Sequence, residues 1–455
     1  MNERKGLSNM NPLKIVIIGA SFAGISSALT AKKLNPNTSV TIIDRQETVG
    51  FIPSSINRLL KGKIDQLTAQ TASTKQQLED AGIELLLGQE VEAIDLSQKQ
   101  LNLKNNTMVP YDKLILAMGS VQTSERIEGA NHQAVITTKT LAASLKSQKE
   151  LEKSNHILIV GGGQVGLEAA DAYTTAGKQV TIVESFDSLA FKSFDPEMIA
   201  ELEKRMTAQG VTIHKNQRAE MIHENEMNLT TVTSQNLAVT SDHVLLAASF
   251  RPNNGLVETL LDCHLDRTLV VDDYLQTSEP DVYATGDLIR VPYLGTNSDY
   301  YLPFVTNAVL TGRIAAMNAL GMAEPLQPFV RIVGSQLFGL YIASVGLTEE
   351  EAHLYHQTTT YIHQQIDDQA QLITLKLIIE KHSGRLLGAQ IYSEANILGL
   401  MDTLATSIKA NRTDRDLAFQ DYLYYAMDST TTPVLQEAAF SMYQKRLKEA
   451  NADAS

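Results

Sequence analysis

Two widely separated stretches of this chain repeat one pattern: an apolar run, a glycine-rich turn, a helix, and a second apolar run ending in an acid. The first copy reads Leu13-Lys-Ile-Val-Ile-Ile-Gly19, then Gly19-Ala-Ser21-Phe22-Ala23-Gly24, a predicted helix over 23–34, and Val40-Thr-Ile-Ile-Asp44. The second reads His156-Ile-Leu-Ile-Val-Gly161, then Gly161-Gly-Gly163-Gln164-Val165-Gly166, a predicted helix over 165–176, and Val180-Thr-Ile-Val-Glu184. Unbroken apolar runs of this length suit parallel strands covered by helices on both faces. The first glycine of each turn permits the sharp strand-to-helix reversal, and the last lets helix and sheet pack closely. The helix start then offers unpaired N–H groups and a positive dipole end to a pyrophosphate. Ser21 stands at the middle glycine position of the first turn and is small enough to keep that approach open. Asp44 and Glu184 end the second strands roughly 20 residues on, where an acid binds ribose hydroxyls. Two such units imply two dinucleotides. Glu184 has no arginine beside it to neutralise a 2′-phosphate, which favours NADH over NADPH.

At 455 residues the chain divides into about three domains. With 43% hydrophobic and 20% charged residues, the composition is globular. A net charge of −14 repels polyanions, so nucleic acid is not an expected partner. The early apolar run Ile15 to Ala20 falls well short of the ~20 residues that span a bilayer, and residues 1–11 contain no apolar signal core. The expectation is a cytoplasmic protein with no membrane partner. One cysteine, Cys263, permits no internal disulfide and no CxxC pair, and the ten histidines show no zinc-type spacing. No metal site is expected. Cys263 itself, in Leu260-Leu-Asp-Cys-His, reads as an inert thiol in a peripheral turn. Beyond Leu320 the character changes: Pro325 and Pro328 mark a boundary, 335–345 and 372–380 read as antiparallel strands, and 396–410 and 434–450 as helices. That order suggests a separate α+β domain for subunit contact.

Further segments narrow the reading. Tyr111-Asp-Lys-Leu-Ile-Leu-Ala117-Met118-Gly119 resembles the strand and glycine turn that close FAD domains, and Thr277-Ser-Glu-Pro-Asp-Val-Tyr-Ala-Thr-Gly286-Asp287 resembles their second flavin signature. Phe250-Arg-Pro-Asn253, preceded by Ser249, resembles the turn that returns the chain to the FAD domain. With Leu302-Pro303-Phe-Val-Thr306-Asn307 and Gly384-Arg-Leu-Leu-Gly-Ala-Gln390, the order resembles the pyridine nucleotide-disulfide oxidoreductase superfamily, and within it the NADH oxidase, NADH peroxidase and coenzyme A-disulfide reductase group. The resemblance spans nearly the whole chain. It implies an α/β fold with two Rossmann-like domains and a C-terminal α+β interface domain in a homodimer. The expected division is 1–119, FAD domain; 120–246, NAD domain; 247–322, return to the FAD domain; and 323–455, dimerisation domain. FAD is expected at Gly19, Ser21, Phe22, Ala23, Gly24, Asp44, Arg45, Ser54, Ala117, Met118, Gly119, Gly286, Asp287, Pro303 and Thr306, the last at the start of a helix aimed at the flavin. NADH is expected at Gly161, Gly163, Gln164, Val165, Gly166, Glu168 and Glu184.

Three positions depart from the group. Its members place a redox cysteine where Gly50-Phe-Ile-Pro-Ser54-Ser55 has Ser54, and often a histidine where Phe22 stands. A serine hydroxyl has no reversible oxidation ladder like that of a thiolate. Gln164 replaces an aromatic that often covers the flavin. Glu168 stands where the group positions an acid near the nicotinamide, and it equally suits the helix dipole. No side chain earns a catalytic role on this reading. The expected activity is an FAD-dependent NADH oxidase that passes two electrons directly to oxygen, or to another small acceptor. The alternatives are a reductase of a protein or quinone-like acceptor, and a degenerate flavin- or NADH-binding sensor.

Overall fold

The computed structural model describes residues 12–123, 127–225, 228–248, 250–423 and 433–453; the 1–11 leader and Ser249 lie outside them. Both glycine units fold as parallel sheets. In the first, the strand order is Val282–Ala284, Lys113–Leu116, Lys14–Ile18, Ser39–Asp44 and Ile83–Leu87, every pair parallel. In the second it is Thr212–His214, Gln179–Val183, His156–Val160, His243–Leu246 and Val135–Ile136, again parallel throughout. Each unit also carries a three-stranded antiparallel meander, 91–110 in the first and 219–241 in the second.

The duplication extends to single hydrogen bonds. Gly19 N donates to Ile43 O at 2.8 Å and Gly161 N to Val183 O at 2.9 Å; Ala117 N reaches Ile18 O and Ala247 N reaches Val160 O, both at 2.9 Å. One physical solution has been used twice: short apolar strands buried on both faces, with helices Phe22–Leu34 and Gln164–Thr175 rising from their ends.

The last strand of the first sheet, Val282–Ala284, comes from far along the sequence, so the chain leaves the first unit, builds the second, and returns. A short ladder, Ser120–Gln122 against Phe250–Pro252, binds the outgoing and returning segments. Helix Val305–Ala319 then packs closely on the first nucleotide helix: a methyl on Gly312 would lie 2.3 Å from Ala23 O, and Ser27 Oγ donates to Gly312 O at 2.9 Å.

The C-terminal residues form a five-stranded antiparallel sheet covered by helices Leu400–Lys409 and Val434–Asp453. Here the structure corrects the reading of 335–345 as one strand. Ile332–Leu337 and Leu340–Gly346 form a hairpin, with Phe338 (φ 50°) and Gly339 (φ 81°) both left-handed at its two-residue turn. That conformation matches the strand twist. Phe338 also carries the apolar pattern through the turn and hides it. The helix expected over 396–410 begins later, at Leu400.

Candidate functional site

The two glycine turns have nearly the same backbone. Gly19 has φ +120° and Gly161 φ +110°, where L side chains are strained. A methyl on Gly24 would lie 1.9 Å from Gly19 O, and one on Gly166 would lie 1.9 Å from Gly161 O. Each helix must therefore press directly on the turn before it. The helices starting at Phe22, Gln164 and Val305 have no side-chain cap, a feature they share with Ser55–Leu60, Pro196–Ala208 and Leu400–Lys409. Their first N–H groups are left for another acceptor.

The acids behave alike as well. Asp44 accepts from Ala20 N and Gln46 N, both at 2.7 Å. Glu184 accepts from Gly162 N at 2.6 Å, and from Phe186 N and Ser185 Oγ at 3.0 Å. Each carboxylate is thus fixed at the rim of its glycine turn, with lone pairs remaining for hydroxyl donors.

A cleft of about 860 Å³ opens above the first turn. Gly19, Ser21, Phe22, Ala23, Asp44, Arg45, Ala117, Met118, Gly119, Gly286, Asp287 and Pro303 line it, so most of the residues expected at FAD meet there. Gly24 lies behind the turn. Ser54 and Thr306 are not among the lining residues, although Phe51, Pro53, Phe304 and Val305 beside them are. Sheet order gives the cleft its direction. Residues 89–92 follow the edge strand next to Asp44 on one side, and 117–120 and 285–287 follow the strands on the other. An extended dinucleotide laid across the turn therefore meets an acid-lined end and a second end at Asp287 and Pro303. Volume, direction and the bare glycine backbone all fit FAD.

At that second end lies a group the sequence did not reveal. Lys139 Nζ donates to Ser120 Oγ at 2.8 Å, Ser120 Oγ donates to Asp287 Oδ2 at 2.7 Å, and Lys139 sits 5.5 Å from the Phe250 ring centroid. The lysine comes from the segment just before helix Leu141–Lys153 and reaches back onto the start of strand Ser120–Gln122 and the turn Gly286–Leu288. No local motif marks it, because its partners belong to other segments.

The second group of expected residues lies apart from the cleft, on an open face. Gly163 has nothing within 4 Å of an added methyl, Gln164 and Val165 are exposed, and Glu168 is half-buried. Glu168 Oε1 accepts from Gln164 Nε2 at 3.1 Å and from Ser335 Oγ at 2.6 Å. The two sites are linked by the short helix Ser55–Leu60, which begins just past cleft-lining Pro53 and packs on helix Gln164–Thr175. Cys263 is exposed, its Sγ 3.6 Å from Asn254 Nδ2, and it does not line the cleft. No helix among the described residues is long and apolar enough to cross a membrane.

Comparison with known proteins agrees with this geometry. Residues 13–312 match the pyridine nucleotide-disulphide oxidoreductase family, and 334–429 its dimerisation domain. A crystal structure of a pyridine nucleotide-disulfide family oxidoreductase from Enterococcus faecalis V583 is 33% identical, with a TM-score of 0.85 over 96% of this chain and 100% of that one. The water-forming NADH oxidase of Lactobacillus brevis, bound to NADH, is 25% identical, with a TM-score of 0.90 over 96% and 100%. An Enterococcus faecalis NADH oxidase is 26% identical, covering 90% of this chain and 95% of its own. The chain belongs to the pyridine nucleotide-disulphide oxidoreductase family and is an NADH-linked flavoprotein oxidoreductase whose cofactors are FAD and NAD(H).

Proposed function

We propose that this protein is an NADH oxidase without a sulfur relay, forming hydrogen peroxide from oxygen. The reading rests on Ser54, which the family resemblance matches to the group's redox cysteine and which follows cleft-lining Phe51 and Pro53, and on Cys263, the single thiol of the chain, which does not line the cleft. FAD held at the first glycine turn would supply the two-electron chemistry of the net reaction NADH + H⁺ + O₂ → NAD⁺ + H₂O₂. In this reading the chain binds and orients. The uncapped starts of helices Phe22–Leu34 and Gln164–Thr175 face the two pyrophosphates. Asp44 and Glu184 take ribose hydroxyls, and Glu184 repels a 2′-phosphate. Asp287, held by Ser120 and Lys139, meets the ribityl chain, while the start of helix Val305–Ala319 offers its dipole to the flavin.

Reduction to water needs two more electrons and a group to carry the oxygen between steps. A serine at position 54 cannot do this. The L. brevis enzyme named above is water-forming, so the product is the point on which this chain is expected to differ. During aerobic turnover, peroxide released should match NADH consumed. Oxidation of NADH with no peroxide, at four electrons per oxygen, would overturn the reading.

We assign the division into domains at 119/120, 246/247 and 322/323, and a cytoplasmic homodimer. Pairing is supported by the dimerisation-domain match and by an exposed aromatic group near it: Phe419, 64% exposed, lies edge-on to Phe440 and Tyr443.

A further inference from the structure

The second nucleotide helix is held from outside its own unit at two points, one turn apart. The hairpin of the C-terminal sheet lies along it, with Ser335 Oγ donating to Glu168 Oε1 at 2.6 Å and Phe338 N donating to Asp171 Oδ1 at 2.9 Å. Residues three apart on the hairpin meet residues three apart on the helix. Asp171 is tied further to Lys61, which caps the C-terminus of the short helix Ser55–Leu60 that starts beside Ser54. Glu168 and Gln164, four apart, share one helix face, and both donors reaching Glu168 use Oε1. Oε2 is left without a protein partner among the described residues.

Helix Ser55–Leu60, which begins just past cleft-lining Pro53, packs on this helix, so a dinucleotide whose pyrophosphate rests on the Gly161–Gly166 turn has this face between it and the flavin cleft. We propose that Ser335 is a positioning residue for hydride transfer: its hydroxyl fixes the Glu168 carboxylate so that the free oxygen accepts an N–H of the nicotinamide carboxamide. The C-terminal domain then sets the angle at which the dihydropyridine ring is presented, a contribution that proximity effects make large for a small displacement. The inference rests on the NADH-to-FAD reading above. It adds a role for a residue outside both dinucleotide units.

The test uses full-length FAD-loaded protein and four forms beside the parent: Ser335→Ala, Ser335→Thr, Glu168→Gln, and Ser335→Ala combined with Glu168→Gln. The limiting rate of flavin bleaching by NADH is measured anaerobically by stopped flow. Affinity for a tetrahydro analogue of NADH, which has no transferable hydride, is measured by titration, along with melting temperature. Loss of one hydrogen bond to a charged group is expected to lower the limiting rate about tenfold in Ser335→Ala. Analogue affinity should stay within about twofold, because misorientation acts on the transition state more than on binding. Ser335→Thr, which keeps the hydroxyl, should recover the lost rate, and Ser335→Ala should cost nothing further once Glu168 is glutamine. A parent-like rate in Ser335→Ala overturns the proposal. So does an undiminished tenfold loss in the Glu168→Gln background, or a rate loss that only follows a fall in melting temperature. Failure of the parent itself to bleach would instead remove the underlying function.

Discussion

Gly24→Ala is expected to purify as a colourless protein. The added methyl lies 1.9 Å from Gly19 O and 3.0 Å from its carbonyl carbon, with Ile17 Cγ2 at 3.3 Å on the other side. Neither obstacle is a flexible side-chain tip, so helix Phe22–Leu34 has to move off the strand that carries the turn. Overpacking of this kind costs on the order of 3 kcal/mol. Here the displaced atoms are those that face the pyrophosphate, so the loss falls on the cofactor as well as on the fold. If it fell wholly on binding, FAD affinity would drop by about a hundredfold. Gly399→Ala is the control: a methyl there meets nothing within 4 Å, and both flavin content and melting temperature should match the parent. Flavin content per chain, read from absorbance after gel filtration, decides the matter. A Gly24→Ala protein with stoichiometric flavin would show that the turn is not the cradle.

Lys376→Met should produce the largest loss of stability of any single surface-sparing change. Lys376 is fully buried in the C-terminal sheet, with Nζ 2.8 Å from Asp195 Oδ2, 2.5 Å from Glu349 Oε2, and paired with Glu197. Asp195 also accepts from Gln390 Nε2 at 2.7 Å and from Glu349 N at 3.1 Å. The three carboxylates have oxygens within 4.8 Å of one another, the spacing of a cation site, and the ammonium is the cation that holds them together. Removing it leaves like charges confined at the junction of helix Pro196–Ala208 with the C-terminal sheet. Breaking a buried ion pair from one side costs about 3–5 kcal/mol, so a large fall in the denaturant midpoint is expected.

The cluster also sets a pH window. Burial pushes the Lys376 ammonium down, and its hydrogen bonds to Asp195, Glu197 and Glu349 more than reverse this, leaving it above the ordinary value of 10.5. Burial pushes the Glu197 carboxyl up, and Lys376 brings it below the ordinary 4.5. A raised cation contributes stability in full below its unfolded value and loses it as pH climbs through the folded one. A depressed carboxyl contributes above its unfolded value and loses it as pH drops through the folded one. The stabilising window therefore lies between about 4.5 and 10.5, and Lys376→Met should be weakened most within it. Equal stability of parent and variant near neutral pH would refute the role assigned to the cluster.

Both dinucleotide units were legible because their determinants are local. Strand, turn, helix and acid follow one another within about 30 residues, and the observed boundaries of the first nucleotide helix, Phe22–Leu34, differ by one residue from those expected. Lys139 was not legible, since its partners Ser120 and Asp287 come from segments that only the sheet order brings together. The Phe338–Gly339 turn was hidden by an aromatic residue in a left-handed conformation that propensity does not favour. Lys376 left a trace in the sequence, a lysine within Leu372-Ile-Thr-Leu-Lys-Leu-Ile-Ile-Glu380, a strand otherwise apolar enough to be buried. Its meaning depended on acids 181 and 179 positions away.

The central claim is that NADH reduces FAD in this chain and that no thiol shares the electrons. Anaerobic titration of the purified protein with NADH, followed by visible absorbance, tests it directly. The flavin should bleach completely with a single equivalent of NADH per FAD, without the long-wavelength band that a thiolate beside the flavin produces. A requirement for a second equivalent, the appearance of that band, or a flavin that stays oxidised would each contradict it.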